Sequence, residues 1–222
     1  MPACVSPLLR NPLLCFAVAV TLNLGLRPST AASAEPGKPL PPQVAAASNE
    51  GQQAIARFRI PEGLKVRLFA AEPLLANPAA FCFDERGRLY VAETYRLNNG
   101  VEDNRSHMDW LDDDLAAQTV EDRLAYFKKH LKDKVSDYTL HEDRIRRLED
   151  RDGDGQAEVS TIFADGFNGI LDGAGAGVFA RNNKVWYTCI PNLWLLEDHN
   201  DDGQADSRKS LHYGFGVRVA FS

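Results

Sequence analysis

From about residue 56 onward, short runs of alternating apolar and polar residues predominate over helical stripes, the pattern of half-buried strands. Phe58-Arg-Ile60 and Leu64-Lys-Val-Arg-Leu-Phe69 alternate in this way, and Pro61-Glu-Gly63 supplies a turn between them. Farther along, Ala80-Phe-Cys-Phe-Asp84 and Arg88-Leu-Tyr-Val-Ala92 flank Glu85-Arg-Gly87 and predict a β-hairpin. Gly177-Val-Phe-Ala180 and Lys184-Val-Trp-Tyr-Thr188 flank Arg181-Asn-Asn183 and predict a second one. Each copy continues into a third strand, Arg144–Glu149 in the first and Pro191–Glu197 in the second. An acidic loop and a further strand follow each third strand, the first of these being Val159-Ser-Thr-Ile-Phe163.

Between the first hairpin and its third strand, at about residues 98–140, the periodicity changes to a helical one. Leu111, Leu115, Val120, Leu124, Phe127 and Leu131 fall near one face. Asp109 and Thr119, each followed three residues later by an acid, are candidate N-caps. Lys128, Lys129, Lys132 and Lys134 crowd the end, where the helix dipole favours cations. This insert reads as a lid or brace lying on the β-structure, or as a plain surface excursion. With it removed, both halves run hairpin, third strand, acidic loop, strand. The expected fold is mostly β: an incomplete β-propeller of about two four-stranded antiparallel blades over residues 55–222, with an α-helical insertion in the first blade. A propeller needs more blades than two to close, so the chain reads as a fragment.

The chemistry concentrates in the two acidic loops, Asp150-Arg-Asp152-Gly-Asp154-Gly-Gln-Ala-Glu158 and Asp198-His-Asn200-Asp-Asp202-Gly-Gln-Ala-Asp206. Oxygen-bearing side chains recur at positions 1, 3, 5 and 9, and Gly155 and Gly203 stand at position 6, where a calcium loop bends sharply. Asp150, Asp152, Asp154, Gln156 and Glu158 are the candidate metal ligands of the first loop. Asp198, Asn200, Asp202, Gln204 and Asp206 are those of the second, the two glutamines through their backbone carbonyls. Hard Ca²⁺ is the expected ion. Position 12 holds Thr161 and Lys209 rather than a bidentate Glu, and strands rather than helices flank the loops, which excludes a calcium-sensing helix pair. The competing reading is a pair of solvated Asp/Gly turns without metal.

Residues 1–34 read as an export signal: Arg10, an apolar stretch from Leu13 to Leu26, and a small-residue cleavage site at Ala32-Ser33-Ala34. The expected destination is periplasmic or extracellular, with no transmembrane helix after cleavage. Residues 35–54, rich in proline, alanine and serine, read as a disordered linker. Loss of Arg10 and Arg27 would take the net charge from −6 to −8, and no basic run offers a footprint for nucleic acid. Cys82 and Cys189, in apolar runs, read as buried hydrophobes. The chain carries no Cys-x-x-Cys-His haem site and no His-Glu-x-x-His zinc helix.

Arg146-Arg-Leu-Glu-Asp-Arg-Asp-Gly-Asp-Gly155, Phe163-Ala-Asp-Gly-Phe167, Cys189-Ile-Pro-Asn-Leu-Trp194 and His212-Tyr-Gly-Phe-Gly216 together resemble the N-terminal part of planctomycete-type membrane-bound dehydrogenases. The propeller of that family is similar to glucose/sorbosone dehydrogenases. The resemblance covers about residues 56–222. It implies that the intact family member oxidises a sugar or other alcohol with a PQQ-like quinone, with a small carbohydrate as its partner. It supplies no catalytic or quinone-binding residue within this chain, so activity from these residues alone is not expected. The alternative is a non-enzymatic, calcium-dependent extracellular binding module.

Glu93, Arg96 and Asn192, at strand ends, are weak candidates for pocket lining, against the commoner role of structural ion pair or turn hydrogen bond. All five histidines, His107, His130, His141, His199 and His212, read as structural. Gly173-Ala-Gly-Ala-Gly177 lacks nucleotide-loop spacing and reads as a flexible connection between blades. Trp186, Tyr187 and Trp194 read as core between blades.

Overall fold

The structure, a computed structural model, describes residues 38–217. The export signal expected at 1–34 lies outside the described residues. Two four-stranded antiparallel sheets carry the fold. The first contains β1 (Pro78–Phe83), β2 (Leu89–Glu93), β3 (Asp143–Glu149) and β4 (Val159–Phe167), hydrogen-bonded in that order. The second contains β5 (Gly177–Arg181), β6 (Lys184–Cys189), β7 (Asn192–Glu197) and β8 (Ser207–Tyr213), again in sequence order. Among the described residues the sheets are not closed into a ring.

Turn chemistry sets the hairpins. Asn182 and Asn183 both take positive φ, 51° and 57°, the two-residue geometry that matches strand twist. In the first hairpin Gly87 takes the left-handed position at φ 77°, and Asp84 Oδ1 accepts the backbone N–H of both Arg86 and Arg88. Period-2 alternation then gives each sheet two faces. Tyr90, Ala92, Ile145, Phe163 and Phe167 of the first sheet meet Ala180, Val185, Tyr187, Cys189 and Leu196 of the second in one core. β1 lies against β5. The opposite face of the first sheet, Leu89, Val91 and Leu148, is covered by Phe69, Ala70, Leu74 and Leu75. The equivalent outer face of the second sheet carries Trp186 and Phe179, which touch each other; Phe179 is 54% exposed. Trp186 therefore points away from the core expected for it, while Tyr187 and Trp194 pack into it.

The run Leu64–Phe69 and the run Phe58–Ile60 form no strand, since neither has a ladder partner among the described residues. Alternation predicts a strand only where a neighbour offers its hydrogen bonds. A six-residue helix, α1 (Glu50–Ile55), occupies the end of the expected linker, and Leu40 N–H donates to Leu140 C=O at 2.7 Å.

The insert is helical as expected, with α2 (Leu111–Ala116) and α3 (Val120–Leu131) framed by 3₁₀ turns. Thr119 caps α3 in a reciprocal box: its hydroxyl accepts from Asp122 N–H at 3.1 Å, and the Asp122 carboxylate accepts from Thr119 N–H at 2.9 Å. Asp109 is not a cap, because it lies inside a 3₁₀ turn and Trp110 takes the N-cap position of α2. Leu115 faces outward, 53% exposed. Trp110, Tyr126, Phe127 and Tyr138 form the insert's own aromatic core together with Ile170. The Arg123 guanidinium donates to Leu171 C=O, so the insert braces the connection between the two sheets.

Candidate metal centre

Both acidic loops close one end of the β3–β4 or β7–β8 pair, where a chain reversal must satisfy many backbone N–H groups in few residues. Aspartate does this well because a short carboxylate reaches N–H groups two residues ahead. The two loops share four side-chain-to-backbone hydrogen bonds, and the first adds a fifth, from Gly153 N–H to Asp150 Oδ1 at 2.7 Å. The position 1 carboxylate accepts from the position 6 N–H: Asp150 from Gly155 and Asp198 from Gly203, both at 2.9 Å. Position 3 accepts from position 5, Asp152 from Asp154 and Asn200 from Asp202, both at 3.0 Å. Position 5 accepts from position 7, Asp154 from Gln156 at 2.7 Å and Asp202 from Gln204 at 2.8 Å. Position 9 reaches back to position 2, Glu158 to Arg151 at 2.9 Å and Asp206 to His199 at 2.7 Å. Gly155 and Gly203 take φ 89° and 91°, the left-handed bend that position 6 requires.

In the first loop one oxygen each from Asp150, Asp152, Asp154 and Glu158 lies within 4.8 Å of the others. Oxygens so placed can share one hard cation, and the residue types suit Ca²⁺. No comparable group of three acids forms at the second loop among the described residues. There Asp198 is 3% exposed, its Oδ2 lies 3.4 Å from Arg147 Nη1, and its Oδ1 is buried with no hydrogen-bond partner. An orphaned buried carboxylate oxygen is costly, and a bound cation would satisfy it. Thr161 and Lys209, at position 12, sit in β4 and β8 and offer no carboxylate there.

Each loop also grips what precedes it. Ala205 N–H in the second loop donates to Phe163 C=O of β4 at 2.8 Å, and Ala157 N–H in the first donates to Phe69 C=O at 2.8 Å. Arg67 Nη1 donates to Asp154 C=O at 2.9 Å. Arg88 donates to Asp84 within its own hairpin at 2.6 Å and, across the sheets, to Asp201 and Asn183 at 2.7 and 2.9 Å, while Arg86 joins Asp201 at 2.6 Å. Hydrogen bonds from Arg86 and then Arg88 hold the Asp201 carboxyl down at about 2. Asp201 stands at position 4, the left-handed position that Gly153 fills in the other loop, with φ 61° against 78°. That mismatch was the one sequence signal for this clasp: an aspartate where its repeat mate needs glycine.

The strand-end candidates are structural. Glu93 is fully buried and paired with the guanidinium groups of Arg144 and Arg146, and its Oε1 accepts Ala76 N–H at 2.8 Å. Arg96, equally buried, donates to the carbonyls of Tyr138, His141, Gly100, Gly169 and Asp172. Asn192 accepts from Ser210 Oγ at 2.7 Å. Among the histidines, His130 meets Asp113 at 2.6 Å on the insert, and the His212 ring lies 4.5 Å from that of Phe215, tilted by 49°. Asp143 escaped the sequence reading altogether. It is fully buried and accepts from Tyr95 N–H, Arg96 N–H, Thr94 Oγ1 and Gly175 N–H at 2.7, 3.1, 3.1 and 2.8 Å. Burial raises its carboxyl, while the N–H groups of Gly175 and Tyr95 pull it back. The Gly173–Gly177 segment is thus pinned rather than flexible: a Cβ on Gly175 would fall inside the Tyr187 hydroxyl. Cys82 and Cys189 are free thiols, and burial pushes Cys189 well up, as an inert core residue requires. Among the described residues no helix is long and apolar enough to cross a membrane.

A family model described as Domain of unknown function (DUF7133) matches residues 50–219, well over half of the 222-residue chain. No curated protein and no solved structure matches it.

Proposed function

The chain belongs to this family of domains of unknown function (DUF7133), and from that premise we propose that it is a calcium-stabilised scaffold of two propeller-type blades in an exported protein. The acidic loops would act as metal-set clasps between successive sheets. One observation carries the reading: two loops 48 residues apart repeat the same four side-chain-to-backbone hydrogen bonds, and each bonds to a segment before its own sheet, Phe69 in one case and Phe163 in the other. A cation there would draw the carboxylates together and fix the loop against Phe69 on one side and Phe163 on the other. The propeller reading draws support from the sequence-ordered meanders and from the packing of β1 against β5. The redox part of the reading, oxidation of a sugar or alcohol by an intact relative with a quinone, rests on motif resemblance alone, and the chain's own share in it would be structural.

Isothermal titration with Ca²⁺, paired with thermal unfolding in Ca²⁺ and in chelator, tests the proposal. Expected are a heat of binding and a higher Tm, since an ion at 100 times its Kd adds about 2.7 kcal/mol to the folded state. The Asp150→Asn, Asp154→Asn double variant should lose the first-loop part of that gain. No heat and an unchanged Tm at millimolar Ca²⁺ would overturn it.

A further inference from the structure

The internal repeat says what Leu64–Phe69 is for. Ala205 of the second loop bonds to Phe163, a residue of β4, the outermost strand of the first sheet. Ala157, its mate in the first loop, bonds in the same way to Phe69. Phe69-Ala70 therefore stands to the first sheet as Phe163-Ala164 of β4 stands to the second. The packing agrees: Phe163 and Ala164 enter the core shared with the second sheet, and Phe69 and Ala70 cover the opposite face of the first. The surface continues outward through Phe83, whose ring lies 5.9 Å from that of Phe69 and which is 53% exposed. Leu64 and Val66, on the alternate side of the run, are 65% and 38% exposed. The segment holds the place and the sequence of an outermost strand, although it has no ladder partner among the described residues.

We infer that Leu64–Phe69 is the fourth strand of a further antiparallel sheet of the same repeat, docking beside that sheet's third strand. A second copy of the folded chain does not fit. Its third strands, β3 and β7, already have both edges paired, and its outermost position is filled by β4 or β8. The occupant is a sheet that lacks its own fourth strand. Register fixes the chemistry. Carried over from β7–β8, where Glu197 pairs with Ser207 and Leu196 with Arg208, Lys65 would face the Glu197 equivalent and Val66 the Leu196 equivalent. Glutamate ends the third strand in both repeats, as Glu149 and Glu197, so Lys65 meets an opposite charge in either case. The inference deepens the propeller reading and rests on it, while remaining independent of the metal.

Hydrogen exchange on the full chain, with and without a synthetic peptide of residues 192–199, tests it. The peptide carries a third-strand sequence with free edges. Expected is exchange about tenfold slower at alternate amides of residues 64–69, from main-chain pairing at an open edge. Val66→Pro removes one N–H at an exposed position and should abolish the protection while leaving the circular dichroism unchanged. Protection at β8 instead, a peptide effect that survives Val66→Pro, a concentration-dependent dimer swapped through this segment, or no protection up to the peptide's solubility limit would each overturn the inference. Calcium heat is unaffected by these outcomes, so the strand assignment can fail without the loop proposal failing.

Discussion

Replacing Asp143 tests whether one buried carboxylate stitches the two sheets together. It joins three separated pieces of chain: β3, which carries it, the turn after β2, and the glycine connection leading into β5. Four donors converge on its two oxygens, three of them backbone N–H groups with no freedom to turn away. Each buried donor left unsatisfied costs about 1–3 kcal/mol, and the terms overlap because the donors relax together. Asp143→Asn keeps the shape but turns an NH₂ toward donors on one side, leaving one or two of them facing another donor. We therefore expect a loss of about 3 kcal/mol for Asn and more for Ala, which also opens a cavity. At about 2–4 °C per kcal/mol for a domain of this size, Asp143→Asn should lower Tm by roughly 6–12 °C. Thr94→Val removes only the hydroxyl donor and should cost little. Thermal and urea unfolding followed by circular dichroism give the numbers. A Tm for Asp143→Asn within about 1 °C of the parent would refute the stitch, since that outcome requires the donors to find other partners.

Gly175→Ala should destabilise by about 2–3 kcal/mol through overpacking against Tyr187, and Tyr187→Phe should restore part of it, since the displaced hydroxyl is buried without a hydrogen-bond partner; additive effects in the double variant would refute the clash. The Asp201 clasp has a defined pH sense. Its folded-state carboxyl lies at about 2, below the ordinary 3.8, so its contribution is complete above that value and fades as pH falls toward 2. Because Asp201 is 41% exposed the contribution is below about 1 kcal/mol, and the stability gap between parent and Asp201→Asn should close over that acid window; a gap independent of pH argues against it. Thr119→Ala should cost about 1 kcal/mol by opening the capping box of α3, read as faster amide exchange in the first turn of that helix; unchanged exchange would show that packing of Phe127 alone holds it.

Local pattern made much of this protein legible. The hairpins at Glu85–Gly87 and Arg181–Asn183, the third strands, the helical insert and the two acidic loops all follow from interactions spanning few residues. Alternation, left-handed asparagines and glycines, and carboxylates two residues from the N–H groups they satisfy are written in sequence order. Repetition of the acidic loop after 48 residues, and of the hairpin across the insert, then aligned the two sheets. The candidate metal ligands were legible for the same reason, since each short loop carries its own set.

Contacts between distant pieces of chain decided the rest. Glu93 and Arg96 look like pocket residues from their strand-end positions, but the fold buries both and spends them on ion pairs and carbonyls. The Gly173–Gly177 run looks flexible until Tyr187 and Asp143 close on it. Leu64–Phe69 has the alternation of a strand and forms none, because a strand is a property of two chains and sequence describes one. The physical divide is one of range. Torsional preference and short side-chain reach act within a few residues and are encoded there, whereas desolvation and pairing depend on which surfaces the folded chain brings together.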